Sequence, residues 1–116
     1  MLDKNNRLKK RKSFAYIFKN GKTVTTTHFA STYHSANGKD PRRGFSVSKV
    51  VGKAYARNKV KRRLRAVVRE NINSFTKNYN YIVRAKAGSY ELSFDELYSE
   101  IVTLIARVSS AIAEQK

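Results

Sequence analysis

Phe14, Ile17 and Phe18 recur at three- and four-residue intervals and are followed by Gly21, which predicts a short helix over 13–20 closed by a glycine. Residues 23–35 are rich in Thr, Phe and Tyr and predict a strand with a break near Thr26. The Asn-Gly and Asp-Pro pairs within 36–42 predict a turn. Over 44–51, Phe45 and Val47 alternate with Ser46 and Ser48, the pattern of a second long strand that Gly52 ends. Over 55–75 the period becomes helical: Val60, Leu64, Val67, Val68, Asn71 and Phe75 fall on one side, and Lys59, Arg62 and Arg69 on the other. Residues 78–87 read as a third strand, with Arg84 discordant if both of its faces are buried. Ser93 and Glu96 have the spacing of a capping box, in which each side chain takes the other's free backbone amide. Behind it, Leu97, Tyr98, Ile101, Leu104, Ile105, Val108 and Ile112 form one apolar stripe, which predicts a final helix packed on a sheet. The order helix, strands, helix, strand, helix predicts an α+β fold: an α–β sandwich of three helices and a small mixed sheet.

Composition narrows the partner more than the fold. The 116 residues suit one domain, 1–116, able to bury a modest core. There is no cysteine, which excludes disulfides and thiolate metal sites and fits a reducing compartment. No apolar run reaches membrane-span length and no signal-peptide stretch follows the basic N-terminus, so the expected place is the cytoplasm and no membrane partner is expected. Twenty-five Lys and Arg oppose eight Asp and Glu, a formal net charge of +17, which attracts polyanions. No amphipathic helix offers a free apolar face for lipid, so nucleic acid is the favoured partner over an acidic membrane. The positive residues gather in two segments, Lys4 to Lys12 and Arg42 to Arg69, whereas Glu91, Asp95, Glu96, Glu100 and Glu114 make the C-terminal part mildly acidic. About the first twelve residues have the composition of a mobile segment.

The helix over 55–75 carries the densest positive charge. Arg57, Lys61 and Arg65, at i, i+4 and i+8, form a ridge that borders the apolar stripe, while Lys59, Arg62 and Arg69 point away from it. A single solvated face would not need two basic surfaces. In the first helix Phe14 and Phe18 share a face. The residues alone leave open whether they are core or an exposed platform on which bases stack at roughly 1–3 kcal/mol each. No catalytic group emerges. His28 and His34, six apart on one strand, would be separated by about 20 Å and could not act on one phosphate. The carboxylates are few and scattered, so no metal site is expected on the protein.

The stretch 45–69 (FSVSKVVGKAYARNKVKRRLRAVVR) resembles the signature of the bacterial ribonuclease P protein component, in which a strand ending Ser-Val-Ser-Lys leads through Gly to Arg-Asn-Arg-x-Lys-Arg-x-x-Arg. Arg7-Leu8-Lys9-Lys10, Phe14, Phe18 and Gly21 are similar to the family's opening, and the likeness covers nearly the whole chain. It implies a protein subunit of an endoribonuclease that pairs with a large catalytic RNA; the RNA, with Mg2+ held mainly by it, removes the 5′ leader of precursor tRNA. It also implies one protein with one ribonuclease P RNA, a left-handed crossover around the second helix where the general rule favours the right hand, and no catalytic residue on the protein. A cleft between the first helix, the sheet and the second helix would hold the single-stranded leader at Phe14, Phe18, Ser46, Arg57, Lys61 and Arg65. Lys53, Asn58, Lys59, Arg62 and Arg69 would contact the catalytic RNA.

Three positions depart from the family pattern. Lys59 replaces the second Arg of the motif and offers a point charge in place of a bidentate fork. Val50 stands where a second Lys is common. Thr32 occupies a cleft position where Tyr is frequent, and the neighbouring Tyr33 faces the other way in a regular strand, unless a bulge turns it. A ribosomal or general RNA-binding module would share the charge but would bind precursor and mature tRNA alike. A protein-only nuclease would cut without RNA.

Overall fold

The computed structural model describes residues 11–35 and 42–114, with 11–14 and 42 as backbone only. The expected mobile segment (apart from Arg11 and Lys12), the 36–42 turn (apart from Arg42) and the Phe14 side chain therefore lie outside the described residues. The elements are α1 (Arg11–Asn20), β1 (Lys22–Thr25), β2 (Phe29–Ser35), β3 (Arg42–Val47), α2 (Ala54–Glu70), β4 (Tyr79–Ala85) and α3 (Phe94–Glu114), with short 3-10 turns at Lys49–Val51, Ile72–Ser74 and Ser89–Glu91. The fold is α+β: three helices and a four-stranded mixed sheet, as the periodicities predict. The strands lie in the order β1-β2-β4-β3, antiparallel except for the parallel pair β3–β4.

Strand alternation assigns the two faces. Phe29, Tyr33, Tyr81, Val83, Ala85 and Val47 join Val60, Leu64, Val67 and Val68 of α2 and Leu97, Ile101, Leu104, Ile105, Val108 and Ile112 of α3 in one buried core. The α3 stripe is thus buried as expected, with only Tyr98 left partly exposed. Its capping box is formed: the Ser93 backbone N–H donates to Glu96 Oε1 at 2.9 Å, and the Glu96 N–H donates to Ser93 Oγ at 3.1 Å. The amide and then the hydroxyl of Ser93 hold the Glu96 carboxyl below the ordinary glutamate range. The opposite sheet face is covered by α1, which meets β2 and β4 and buries Ile17. Gly21 closes α1, its N–H donating to the Ile17 carbonyl at 2.7 Å. Glycine serves here as a point of close approach: a Cβ would lie 2.6 Å from the carbonyl oxygens of both Ile17 and Tyr33.

The break expected near Thr26 is present, and two other boundaries, the ends of β3 and α2, differ from the sequence expectation. The 23–35 segment is two strands, because the turn between them is pinned to α3: Thr26 Oγ1 and the His28 N–H each donate to Glu100 Oε2 at 2.6 Å, and His28 Nδ1 lies 2.8 Å from Oε1. β3 ends at Val47, opposite the last residue of β4, so beyond it no neighbouring strand remains to pair with. Residues 49–51 instead form a 3-10 turn that buries Val51 and exposes Val50, and Gly52 leaves it at φ +145°. α2 stops at Glu70, where the Asn71 side chain donates to the Val67 carbonyl at 2.8 Å. Phe75 reaches the core from outside the helix, its ring 4.9 Å from that of Tyr81 and 4.4 Å from the Arg43 guanidinium. Burial raises the Tyr81 hydroxyl to about 12, although it donates to the Thr76 carbonyl at 2.6 Å.

Candidate nucleic-acid interface

α2 presents three polar rows around its buried stripe of Ala56, Val60, Leu64, Val67 and Val68. On one flank Lys59 and Arg63 turn toward the segment before α3: Lys59 Nζ lies 5.6 Å from the Tyr90 ring centroid, and Arg63 Nη1 donates to the Leu92 carbonyl at 2.9 Å. Lys59 is therefore half-buried against an aromatic ring and does not point freely into solvent as its helical angle suggested. Asn58, Arg62 and Arg69 are exposed on the outward row, and Lys53 is exposed at the N-cap of the helix. The second flank carries Arg57, Lys61 and Arg65, all half-buried. α3 packs on β1 and β2 and α2 on β3, so the flank of α2 turned away from α3 lies along the outer edge of β3. The Nε atoms of Arg57 and Arg65 are buried and meet no acceptor. Such a group is costly until an acceptor arrives, and a phosphate oxygen is one.

The far face of the sheet supplies the other candidates. Phe18 is 41% exposed although its neighbour Ile17 is buried. Ser46 is half-buried on the α1 side of β3, directly opposite Arg84 of β4. Arg84 is exposed between buried Val83 and Ala85. Its discordance in the sequence has a simple cause: alternation puts it on the α1 face, where helix cover runs out. It is a basic group that the motif reading left out, and the signal was the single charged residue in an apolar strand. The expected three-sided cleft is not one enclosure. α1 and α2 lie on opposite faces of the sheet, and the Arg57–Lys61–Arg65 row meets the Ser46–Arg84 surface only around the β3 edge.

At the departure from the family pattern in β2, Thr32 is buried, its Oγ1 2.9 Å from Thr23 Oγ1. Tyr33 is also buried, in the core, and its ring lies 6.1 Å from that of Tyr79. The β2–β4 register runs without a bulge from Phe29 to Ser35, so nothing turns Tyr33 outward. Tyr16 of α1 is a second exposed ring beside Phe18, 58% accessible and edge-on to His34 at 5.2 Å. His28 and His34 do not share a strand: His28 lies in the β1–β2 turn and His34 near the far end of β2. The acidic residues collect elsewhere, where Asp95, Glu96 and Glu100 line a groove with Thr26, His28 and Arg107. Among the described residues no group of three or more His, Asp or Glu side chains is arranged to hold a metal ion, and no helix is long and apolar enough to cross a membrane.

The family model for ribonuclease P matches residues 2–109. The chain belongs to the ribonuclease P protein family. Among its relatives, the ribonuclease P protein component of Finegoldia magna is 31% identical over 109 residues, covering 94% of this chain and 96% of that one. The ribonuclease P protein component of Bacillus pumilus is 34% identical over 116 residues, covering 99% and 96%. Among solved structures, a Staphylococcus aureus RNase P protein mutant with defective mRNA degradation activity superposes with a TM-score of 0.86 at 25% identity, over 91% of this chain and 90% of that one. The RNase P protein from Thermotoga maritima superposes with a TM-score of 0.80 at 28% identity, over 87% and 96%. Membership in the ribonuclease P family thus rests on a match spanning α1 through most of α3, not on the basic helix alone.

Proposed function

We propose that this chain is the protein subunit of a ribonuclease P ribonucleoprotein that removes the 5′ leader from precursor tRNA. The protein binds one catalytic RNA and the single-stranded leader; the RNA and the magnesium it holds carry out the cleavage. The observation that carries this reading is the family match over residues 2–109. The charged rows of α2 accord with it. In this reading the leader runs over the α1 face and around the β3 edge. Phe14 and Phe18 stack its bases, while Ser46, Arg84, Arg57, Lys61 and Arg65 follow its phosphates. The exposed outward row of Lys53, Asn58, Arg62 and Arg69, with Lys59 beside it, docks on the catalytic RNA. Each phosphate contact adds to the salt dependence of binding.

The test is cleavage of a leader-bearing precursor tRNA at low magnesium by a bacterial ribonuclease P RNA, with and without the protein, beside the protein alone. Cleavage at the mature 5′ end that requires both components is the expected result. A protein that binds RNA tightly yet adds nothing to cleavage is a general RNA-binding module, and a protein that cuts alone is a nuclease in its own right. Within the assembled particle, Phe18→Ala should weaken binding of the leader-bearing substrate by about 1 kcal/mol and leave mature tRNA binding unchanged. Equal losses for both substrates would remove Phe18 from the leader path.

A further inference from the structure

Tyr55, in the first turn of α2, is 66% exposed, among the most accessible of the large apolar side chains. Its ring meets the Tyr90 ring edge-to-face, with centroids 6.1 Å apart. Tyr90 comes from the 3-10 turn before α3 and also carries the Lys59 ammonium over its face at 5.6 Å. Two aromatic rings from separate elements thus meet beside a lysine on the surface of a chain whose net charge is +17. Core packing does not account for Tyr55, since its ring remains mostly in solvent. The edge-to-face contact holds it by one side only and leaves a π face open. Helical spacing places Tyr55 in one ridge with Asn58, Lys59 and Arg62, at i+3, i+4 and i+7. The open ring is therefore continuous with the outward basic row and lies on the flank of α2 opposite Arg57, Lys61 and Arg65.

We infer that Tyr55, braced by Tyr90 and Lys59, is a stacking platform for one unpaired base of the catalytic RNA, separate from the leader path. The inference rests on the reading of the outward α2 row as the docking surface for that RNA. The occupant follows from the chemistry of the patch. Any nucleobase stacks on an exposed ring, Lys59 and Arg62 attract the adjoining phosphates, and the cation over Tyr90 favours an electron-rich partner nearby. A leader base would have to cross the outward face of the helix to reach this patch. The platform makes binding depend on a base at one position, a contact that charge alone does not supply.

The two contributions separate by salt. Binding of the full-length protein to a transcribed bacterial ribonuclease P RNA is measured over a range of salt concentrations, for the native chain and for Tyr55→Ala, Tyr55→Phe and Arg62→Ala. Tyr55→Ala should weaken binding about tenfold at every salt concentration, leaving the salt slope unchanged because no charge is removed. Tyr55→Phe keeps the ring and should bind like the native chain. Arg62→Ala should make the slope shallower by roughly 0.7–0.9. Native affinity in Tyr55→Ala, alongside a shallower slope in Arg62→Ala, overturns the platform and leaves the docking row standing. If neither variant departs from the native chain, the α2 docking surface itself is wrong and the platform falls with it. A loss in Tyr55→Ala that Tyr55→Phe shares also overturns it, since stacking needs the ring and not the hydroxyl.

Discussion

Replacing Glu100 by alanine should destabilise the protein by on the order of 3 kcal/mol, because one carboxylate holds the β1–β2 turn at three points. Thr26 Oγ1 and the His28 N–H converge on Oε2, both at 2.6 Å, and His28 Nδ1 approaches Oε1 at 2.8 Å. Truncation leaves a partly buried backbone amide and a hydroxyl without this acceptor. Burial pushes the Glu100 carboxyl upward, and the hydrogen bonds from Thr26 and His28 more than reverse it, so its pKa falls below the ordinary glutamate value. A carboxylate whose folded-state pKa is depressed adds stability above its unfolded pKa, and that stability disappears as pH falls through the folded value. The native chain should therefore exceed Glu100→Gln in stability at neutral pH, and the gap should narrow as the solution is taken below about pH 4.3. Urea unfolding of both chains across that range measures it. A gap that stays constant with pH would mean that the charge of Glu100 has no part in holding the turn.

Gly21→Ala should lower stability by roughly 1–3 kcal/mol, or about 4–12 °C in the unfolding midpoint of a domain this small. The added methyl would sit 2.6 Å from two carbonyl oxygens, one in the last turn of α1 and one in β2. Neither is a side chain that can swing aside, so relief requires the helix to lift from the strand. Lifting also exposes Ile17, which the helix buries. Because the displaced helix carries Phe14 and Phe18, the variant should lose discrimination between leader-bearing and mature tRNA along with thermal stability. A midpoint equal to that of the native chain would show that the α1–β2 junction yields more easily than its geometry implies.

The periodic elements were legible in the sequence and their ends were not. The apolar stripe of α3 and its Ser93–Glu96 box announce the helix, because each signal is local and the burial that follows is one-sided. The ends of β3 and α2 depend on distant chain. β3 stops where β4 offers no further partner, and α2 stops at an asparagine that bonds back to Val67 while Phe75 continues the apolar period by coincidence. The basic rows of α2 follow from helical angle, but the angle alone cannot show that Lys59 settles over Tyr90, thirty-one residues further on. Arg84 was visible as an anomaly, and its meaning waited on knowing which side of the sheet lacks cover. Opposite placement of α1 and α2 was out of reach, since no local pattern records which face a helix takes.

β4 lies between β2 and β3 in space, although it follows both in the chain. On the ribosome, α1, the β1–β2 hairpin, β3 and the whole basic helix emerge before residue 79 does. Until then β2 keeps one bare edge and β3 has no neighbour, so α2 is released ahead of the sheet it packs against. The last third of the chain, though it holds few of the basic residues, decides when the rest can fold. A nascent chain halted before β4 exposes the charge of α2 without the scaffold that gives that charge a direction.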